Sequence, residues 1–193
     1  MKIINSLACC IISFGSMSGM TPEQIFDSMT MRQRIAQVLV AAVVPNDESN
    51  SAFEKTQNYR MDRHYVLDVA VGKHQVGGIL YLGSGLIQER KDLTQELQNC
   101  AKGTLWFLDD AEWGLHMRSR DGFRYPRNMA LGAIPAENNI IIAMKGFNVA
   151  KQLQTVGSHV SLGPVMDVNN NPGNPVINDR SFGAYVEQVT QKG

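Results

Sequence analysis

Two stretches of this sequence carry side chains of the kinds and spacing that bind a polyhydroxylated ligand. The first, Leu108-Asp109-Asp110-Ala111-Glu112-Trp113-Gly114-Leu115-His116-Met117-Arg118, sets carboxylates, an indole and a guanidinium within one short segment. Carboxylates accept paired hydrogen bonds from neighbouring hydroxyls, arginine donates through a planar fork, and an aromatic ring covers the apolar face of a sugar. The spacing equally permits a structural use, with Asp110 or Glu112 capping a turn and Trp113 filling the core. The second stretch, residues 163–183, is rich in asparagine, proline and glycine and ends Asn178-Asp179-Arg180-Ser181-Phe182-Gly183. Asn and Asp side chains fold turns back on their own backbone, so most of this loop is expected to hold its shape, with Arg180 left as the ligand-facing group.

A third, weaker signal is Gly83-Ser84-Gly85, which could cradle a phosphate at a helix N-terminus. It lacks the Gly-Lys-Ser/Thr ending of a nucleotide loop, and a plain turn is the simpler expectation. His64, His74, His116 and His159 show no spacing that puts two ligands on one helix face, so no metal and no cofactor is expected. Lys and Arg number 18 against 18 Asp and Glu, which leaves no net charge and no basic tract for nucleic acid. The cluster Arg118, Arg120, Arg124 and Arg127 is interrupted by Asp121 and suits a local role.

The elements that must position these residues alternate along the chain. Residues 1–19 read as a signal peptide: Met1-Lys2, an apolar run from Ile3 to Gly15, then small residues. That run is too short to span a membrane, for which about 20 apolar residues are needed. Export to the periplasm or cell surface follows, with the cytoplasm as the alternative. Cys9 and Cys10 fall within the leader, leaving Cys100 and no disulfide framework. Thr21-Pro22-Glu23-Gln24 and Thr30-Met31-Arg32-Gln33 each carry a capping box and predict two short helices. Apolar runs at 38–44, 76–82, 104–108 and 160–168 predict strands, the first buried on both faces; helix-compatible stretches at 51–73, 86–101 and 136–155 lie between them.

Four strand-then-helix units in series predict a parallel sheet of the α/β class, either doubly wound or part of a barrel. In both, the functional rim lies at the strands' C-terminal ends, where Asp110 and the Asn/Pro loop fall. A closed (β/α)8 barrel needs roughly 250 residues, more than the 193 present.

Together the segments resemble glycoside hydrolase family 3, in its β-N-acetylhexosaminidase-like form. Met31-Arg32-Gln33-Arg34-Ile35-Ala36-Gln37 resembles the family's opening helix, and Val76-Gly77-Gly78-Ile79-Leu80-Tyr81 its second strand. Asp110-Ala111-Glu112-Trp113-Gly114-Leu115 with Met117-Arg118 is similar to its acidic loop, with His116 where that variant usually has glycine. Tyr125-Pro126-Arg127-Asn128-Met129-Ala130-Leu131-Gly132-Ala133 and the loop ending Arg180-Ser181-Phe182-Gly183 extend the likeness from about residue 30 to the end.

The resemblance implies that residues 20–193 form the N-terminal half of a TIM-type barrel, about four βα units. It implies hydrolysis of terminal β-linked N-acetylglucosamine with retention through a covalent glycosyl intermediate. Asp110, Arg118 and Arg180 would hold the non-reducing sugar. The family's Lys-His motif, acid/base histidine and nucleophilic aspartate have no counterpart here and are expected downstream of Gly193. On that expectation the chain alone is inactive, and another chain is one source of the missing barrel half. A non-catalytic carbohydrate-binding or interaction protein is the alternative.

Overall fold

The computed structural model describes residues 19–44 and 63–193. Nearly all of the leader-like segment, with Cys9 and Cys10, and the front of the stretch at 51–73 lie outside the described residues. Helix α1 (Pro22–Ser28) and α2 (Met31–Gln37) begin at the two expected capping boxes, Thr21 with Gln24 and Thr30 with Gln33. Strand β1 (Val40–Val43) follows. The next helix, α3, is helical at Arg63–Tyr65 and then opens into a π-helix over Val66–His74, closed by Gln75 in a left-handed conformation. A helix was expected there; its wide π turn is invisible to a 3.6-residue pattern. Strand β2 (Gly78–Tyr81), helix α4 (Ile87–Cys100) and strand β3 (Trp106–Asp109) come next. Helix α5 (Asn128–Gly132), helix α6 (Ile140–Thr155), strand β4 (Val160–Ser161) and helix α7 (Val186–Lys192) complete the order.

The strands form one parallel sheet in the order β1-β2-β3-β4. A doubly wound sheet reverses its strand order at a switch point. This one never does, so the barrel alternative is the one the topology follows. In register, Val43 lies beside Tyr81, Tyr81 beside Asp109, and Asp109 beside Ser161, which aligns the strands' C-terminal ends.

Successive strand side chains point to opposite faces. Val43, Ile79, Tyr81 and Phe107 turn to one face and pack with Leu93 and Leu97 of α4 and with Val66, Ala70 and Val71 of α3. Each fully buried Leu, Ile or Phe contributes roughly 1.5–3 kcal/mol, so this layer fixes the helices to the sheet. On the opposite face the strand starts are exposed, Val40 at 49% and Trp106 at 60%, while Ala42, Leu80 and Leu108 are half-buried. Burial along the β1 run is graded from end to end: Val38, Leu39 and Val40 are exposed, whereas the adjacent Val43 and Val44 are both fully buried. The fourth strand is shorter than expected. Its last backbone bond to β3 is from the Leu162 N–H to the Asp109 carbonyl at 2.8 Å, and after it the chain leaves the sheet for the Asn/Pro loop.

No helix among the described residues is long and apolar enough to cross a membrane.

Candidate functional site

The site is built where β3 ends. Strand alternation sends Asp109 into the helix layer and Asp110 to the rim. Asp109 is fully buried and ion-paired with Arg90 of α4, which is also fully buried. Ser158 Oγ donates to Asp109 Oδ2 at 2.8 Å. Arg90 lies 4.5 Å from the centre of the Tyr81 ring and donates from Nη1 to Ser119 Oγ at 3.3 Å. Burial pushes the Asp109 carboxyl up and Arg90 opposes that shift; burial also raises Tyr81, to about 12, so its hydroxyl stays protonated beside Thr94. Asp109 is thus part of the frame.

Asp110, partly exposed, receives Arg118 Nη2 at 2.5 Å. The intervening residues turn back tightly enough for that contact because Gly114 adopts φ 94° and a 3-10 turn follows at Leu115–Met117. A Cβ on Gly114 would meet the Phe123 carbonyl oxygen at 2.6 Å. Gln152 of α6 accepts the Leu115 N–H at 2.8 Å, tying the turn to the helix layer. His116 does not block Arg118 from Asp110, since its Nδ1 lies 3.3 Å from the Gly122 carbonyl within its own loop.

Gly83-Ser84-Gly85 serves this same loop. Gly85 N–H donates to the Arg118 carbonyl and its carbonyl accepts from Arg120 N–H. The amides that follow are committed as well, Leu86 to Glu89 and Ile87 to Asp121. Carboxylates already fill the positions a phosphate would need, which contradicts the phosphate-cradle alternative.

Arg180 stands on a 3-10 turn, Asn178–Arg180, inside the Asn/Pro loop. It is paired with Glu112, two residues beyond Asp110: Nε donates to Oε2 at 3.0 Å and Nη2 to Oε1 at 2.7 Å. Its proton is held more tightly than usual, first by the hydrogen bond to Glu112, with the charges of Glu112, Asp110 and Asp167 adding to it. Glu112 therefore does not cap its own turn. As expected of the loop's amides, Asn171 accepts from Gly173 N–H, and Asn174 from Val176 and Ile177 N–H. The loop's far end docks where Gly132 of α5 meets Phe182, so closely that a Cβ would fall 1.7 Å from the Phe182 carbonyl oxygen.

Three further residues join the two loops. Asn128 Nδ2 donates to the Arg180 carbonyl at 2.9 Å, and Lys145 Nζ donates to Asn128 Oδ1 at 2.9 Å. Burial lowers Lys145 to about 8, against the pull of Glu112. Arg127 lies 4.2 Å over the Trp113 ring and pairs with Asp179 at 2.8 Å. Trp113 is accordingly half-buried under a guanidinium, neither a core filler nor fully open. Of the arginine cluster, Arg118 pairs with Asp110 within its own loop, whereas Arg127 reaches across to Asp179.

The structure thus brings Asp110 and Arg118 into contact and sets Arg180 on the same acidic loop through Glu112. Arg90, Asn128 and Lys145 were not singled out from sequence. Arg90 lies in a polar helix whose buried stripe is otherwise Leu93 and Leu97, and an arginine at such spacing was the available signal. Among the described residues, no group of three His, Cys, Asp or Glu side chains is placed to hold a metal.

Comparison with known proteins gives a consistent picture. The family model described as "Glycosyl hydrolase family 3 N terminal domain" matches residues 30–193. Beta-hexosaminidase A of Pseudoalteromonas piscicida is 28% identical over 137 residues, covering 66% of this chain and 23% of its own length. A glycoside hydrolase family 3 beta-N-acetylglucosaminidase from Paenibacillus sp. str. FPU-7 superposes with a TM-score of 0.61 at 26% identity, over 86% of this chain and 30% of that one. Beta-glucoside phosphorylase BglX has a TM-score of 0.71 at 19% identity, over 88% of this chain and 28% of that one, a likeness of fold. The chain spans less than a third of the length of each of these proteins.

Proposed function

Because the chain belongs to glycoside hydrolase family 3, with its β-hexosaminidase-like N-terminal domain in the matched region, we propose that residues 30–193 bind the terminal β-linked N-acetylglucosamine of a glycan for hydrolysis. The observation that carries this is the pairing of Asp110 with Arg118, and of Glu112 with Arg180, at the C-terminal end of β3. That rim is where barrel enzymes assemble their sites. Two relatives, a beta-hexosaminidase and a beta-N-acetylglucosaminidase, supply the substrate class.

Asp110 accepts from sugar hydroxyls, while Arg118 and Arg180 donate to them. The acid paired to each arginine keeps the rim close to neutral, which suits an uncharged sugar. A retaining reaction also needs a nucleophilic carboxylate and an acid/base across the glycosidic bond. Asp110 and Glu112 lie two residues apart in one loop and are each already ion-paired with an arginine. We therefore assign bond breaking to barrel strands other than these four, from the same polypeptide or another chain. Export is part of the same reading, supported by the leader-like run from Ile3 to Gly15; N-terminal sequencing of protein from the periplasmic fraction tests it.

The test of function is titration of the full chain with N-acetylglucosamine, followed by NMR, together with hydrolysis of a chromogenic β-N-acetylglucosaminide. Saturable binding that is lost in Asp110→Ala, without hydrolysis by the chain alone, is expected. Absence of binding, or affinity unchanged in Asp110→Ala, would overturn the sugar site. Hydrolysis by the chain alone would overturn the assignment of bond breaking elsewhere.

A further inference from the structure

Arginine is a long, flexible side chain, and on a loop it loses rotamer freedom when held in one pose. Arg180 carries that cost before any ligand arrives. Glu112 lies edge-on against its fork, accepting from Nε at 3.2 and 3.0 Å and from Nη2 at 2.7 Å, while Nη1 donates to the Val176 carbonyl at 3.2 Å. The Glu112 side chain is only 4% exposed, against 31% for Arg180. Its backbone makes an isolated bridge to Gly114, and a Cβ on Gly163 would stand at ordinary van der Waals distance, 3.5 Å, from its Cα. Asn128, 1% exposed, holds the Arg180 backbone through its carbonyl and is itself held by Lys145.

A guanidinium has five N–H groups. With one each of Nε, Nη1 and Nη2 engaged as above, one N–H on each terminal nitrogen is uncommitted among the described residues. Without Glu112, the fork could turn about its side-chain bonds and its charge would be unbalanced.

We propose that Glu112 is a positioning residue for Arg180: it fixes the guanidinium on its Nε edge so that the remaining N–H groups of both terminal nitrogens meet adjacent hydroxyls of the bound sugar. This rests on the proposal that Arg180 contacts sugar. Glu112 itself acts through Arg180, not on the ligand.

The test measures N-acetylglucosamine affinity of the full chain for the wild type, Glu112→Gln, Arg180→Ala and the double variant. The Arg180 Nε–H NMR resonance, assigned with Arg180→Lys, is recorded in parallel. Glu112→Gln should weaken binding roughly tenfold, the weight of one charge-assisted hydrogen bond, and should shift the Arg180 resonance. In the Arg180→Ala background the same change should alter affinity less than about twofold, because coupled residues are non-additive. Glu112→Asp keeps the charge and shortens the reach; it should fall between wild type and Glu112→Gln, and it serves if Glu112→Gln does not fold.

Wild-type binding with no loss in Glu112→Gln, or an equal loss in both backgrounds, would overturn the positioning role and leave the sugar site standing. No wild-type binding would overturn the sugar site and this inference with it.

Discussion

Arg90 and Asp109 meet side chain to side chain with neither exposed to solvent, one from α4 and the other from the last position of β3. Asp109 directly precedes Asp110, and Ser119, the second group Arg90 bonds, directly follows Arg118. A single buried guanidinium therefore braces both ends of the segment whose two charged rim groups, Asp110 and Arg118, form an ion pair. Breaking a buried pair by removing one partner leaves an uncompensated charge, whereas replacing both with apolar groups removes the desolvation cost too. Asp109→Ala should cost about 3–5 kcal/mol, and the double variant Arg90→Met, Asp109→Leu should recover most of it. Urea unfolding followed by circular dichroism checks this; a double variant as unstable as the single would show that the pair's own attraction dominates.

Lys145 supplies a pH dependence with a definite sign. Its folded value is lowered from 10.5 to about 8, burial being the largest cause. Between those values the unfolded chain binds the proton that the folded chain has released. Stability therefore rises with pH through that window, and below about 8 the fold carries the penalty of a charged, partly buried amine. The unfolding free energy of the wild type should increase from pH 7.5 to 9.5 relative to Lys145→Met, which lacks the titrating group. Parallel pH profiles for the two proteins would rule out the buried amine as the source.

How these features are written in the sequence differs from element to element. The capping boxes at Thr21 and Thr30 and the apolar runs at β2 and β3 were legible because they rest on local chemistry: an N-cap oxygen, or a run of side chains buried by the neighbouring layer. Arg180 is legible as a charge following a rigid run, whereas the spacing from Asp110 to Arg118 leaves binding and structural uses open and only the family resemblance assigns them to sugar. What could not be read was partnership across long separations, such as Arg90 with Asp109 or Asn128 with the Arg180 carbonyl. Those contacts exist only once the parallel register has aligned the strand ends. The apolar run at 160–168 misled for a related reason. The last backbone bond to β3 is made by Leu162, and beyond it Val165 is buried outside the sheet.

Two glycines with opposite surroundings separate packing from propensity. Gly132 meets the Phe182 carbonyl oxygen, where a Cβ would fall at 1.7 Å, whereas a Cβ on Gly146, within α6, would have nothing within 4 Å. Gly146→Ala should stabilise by about 0.5–1 kcal/mol through helix propensity alone. Gly132→Ala, which forces the backbone at Phe182 to move, should destabilise by about 1–3 kcal/mol. It should also weaken sugar binding, because Phe182 is two residues from Arg180. Thermal unfolding and sugar titration of both variants decide; equal melting temperatures would mean that the loop is not docked on α5 as described.

Trp113 gives an optical view of the rim. The chain has two tryptophans, and Trp106→Phe leaves only the half-buried Trp113, with Arg127 above its ring and Asp179 holding that guanidinium. A cation over an aromatic face is worth about 0.5–1 kcal/mol at an exposed site, so Arg127→Ala should free the ring and shift its emission to the red. Because Arg127 also links Trp113 to the turn carrying Arg180, sugar binding at Arg180 should change Trp113 emission in the Trp106→Phe protein. That response should shrink when Asp179→Ala cuts the link. A sugar response of full size in Asp179→Ala would mean that ring and ligand communicate by direct contact; binding seen by NMR without any emission change would mean that Trp113 lies outside the sugar's reach.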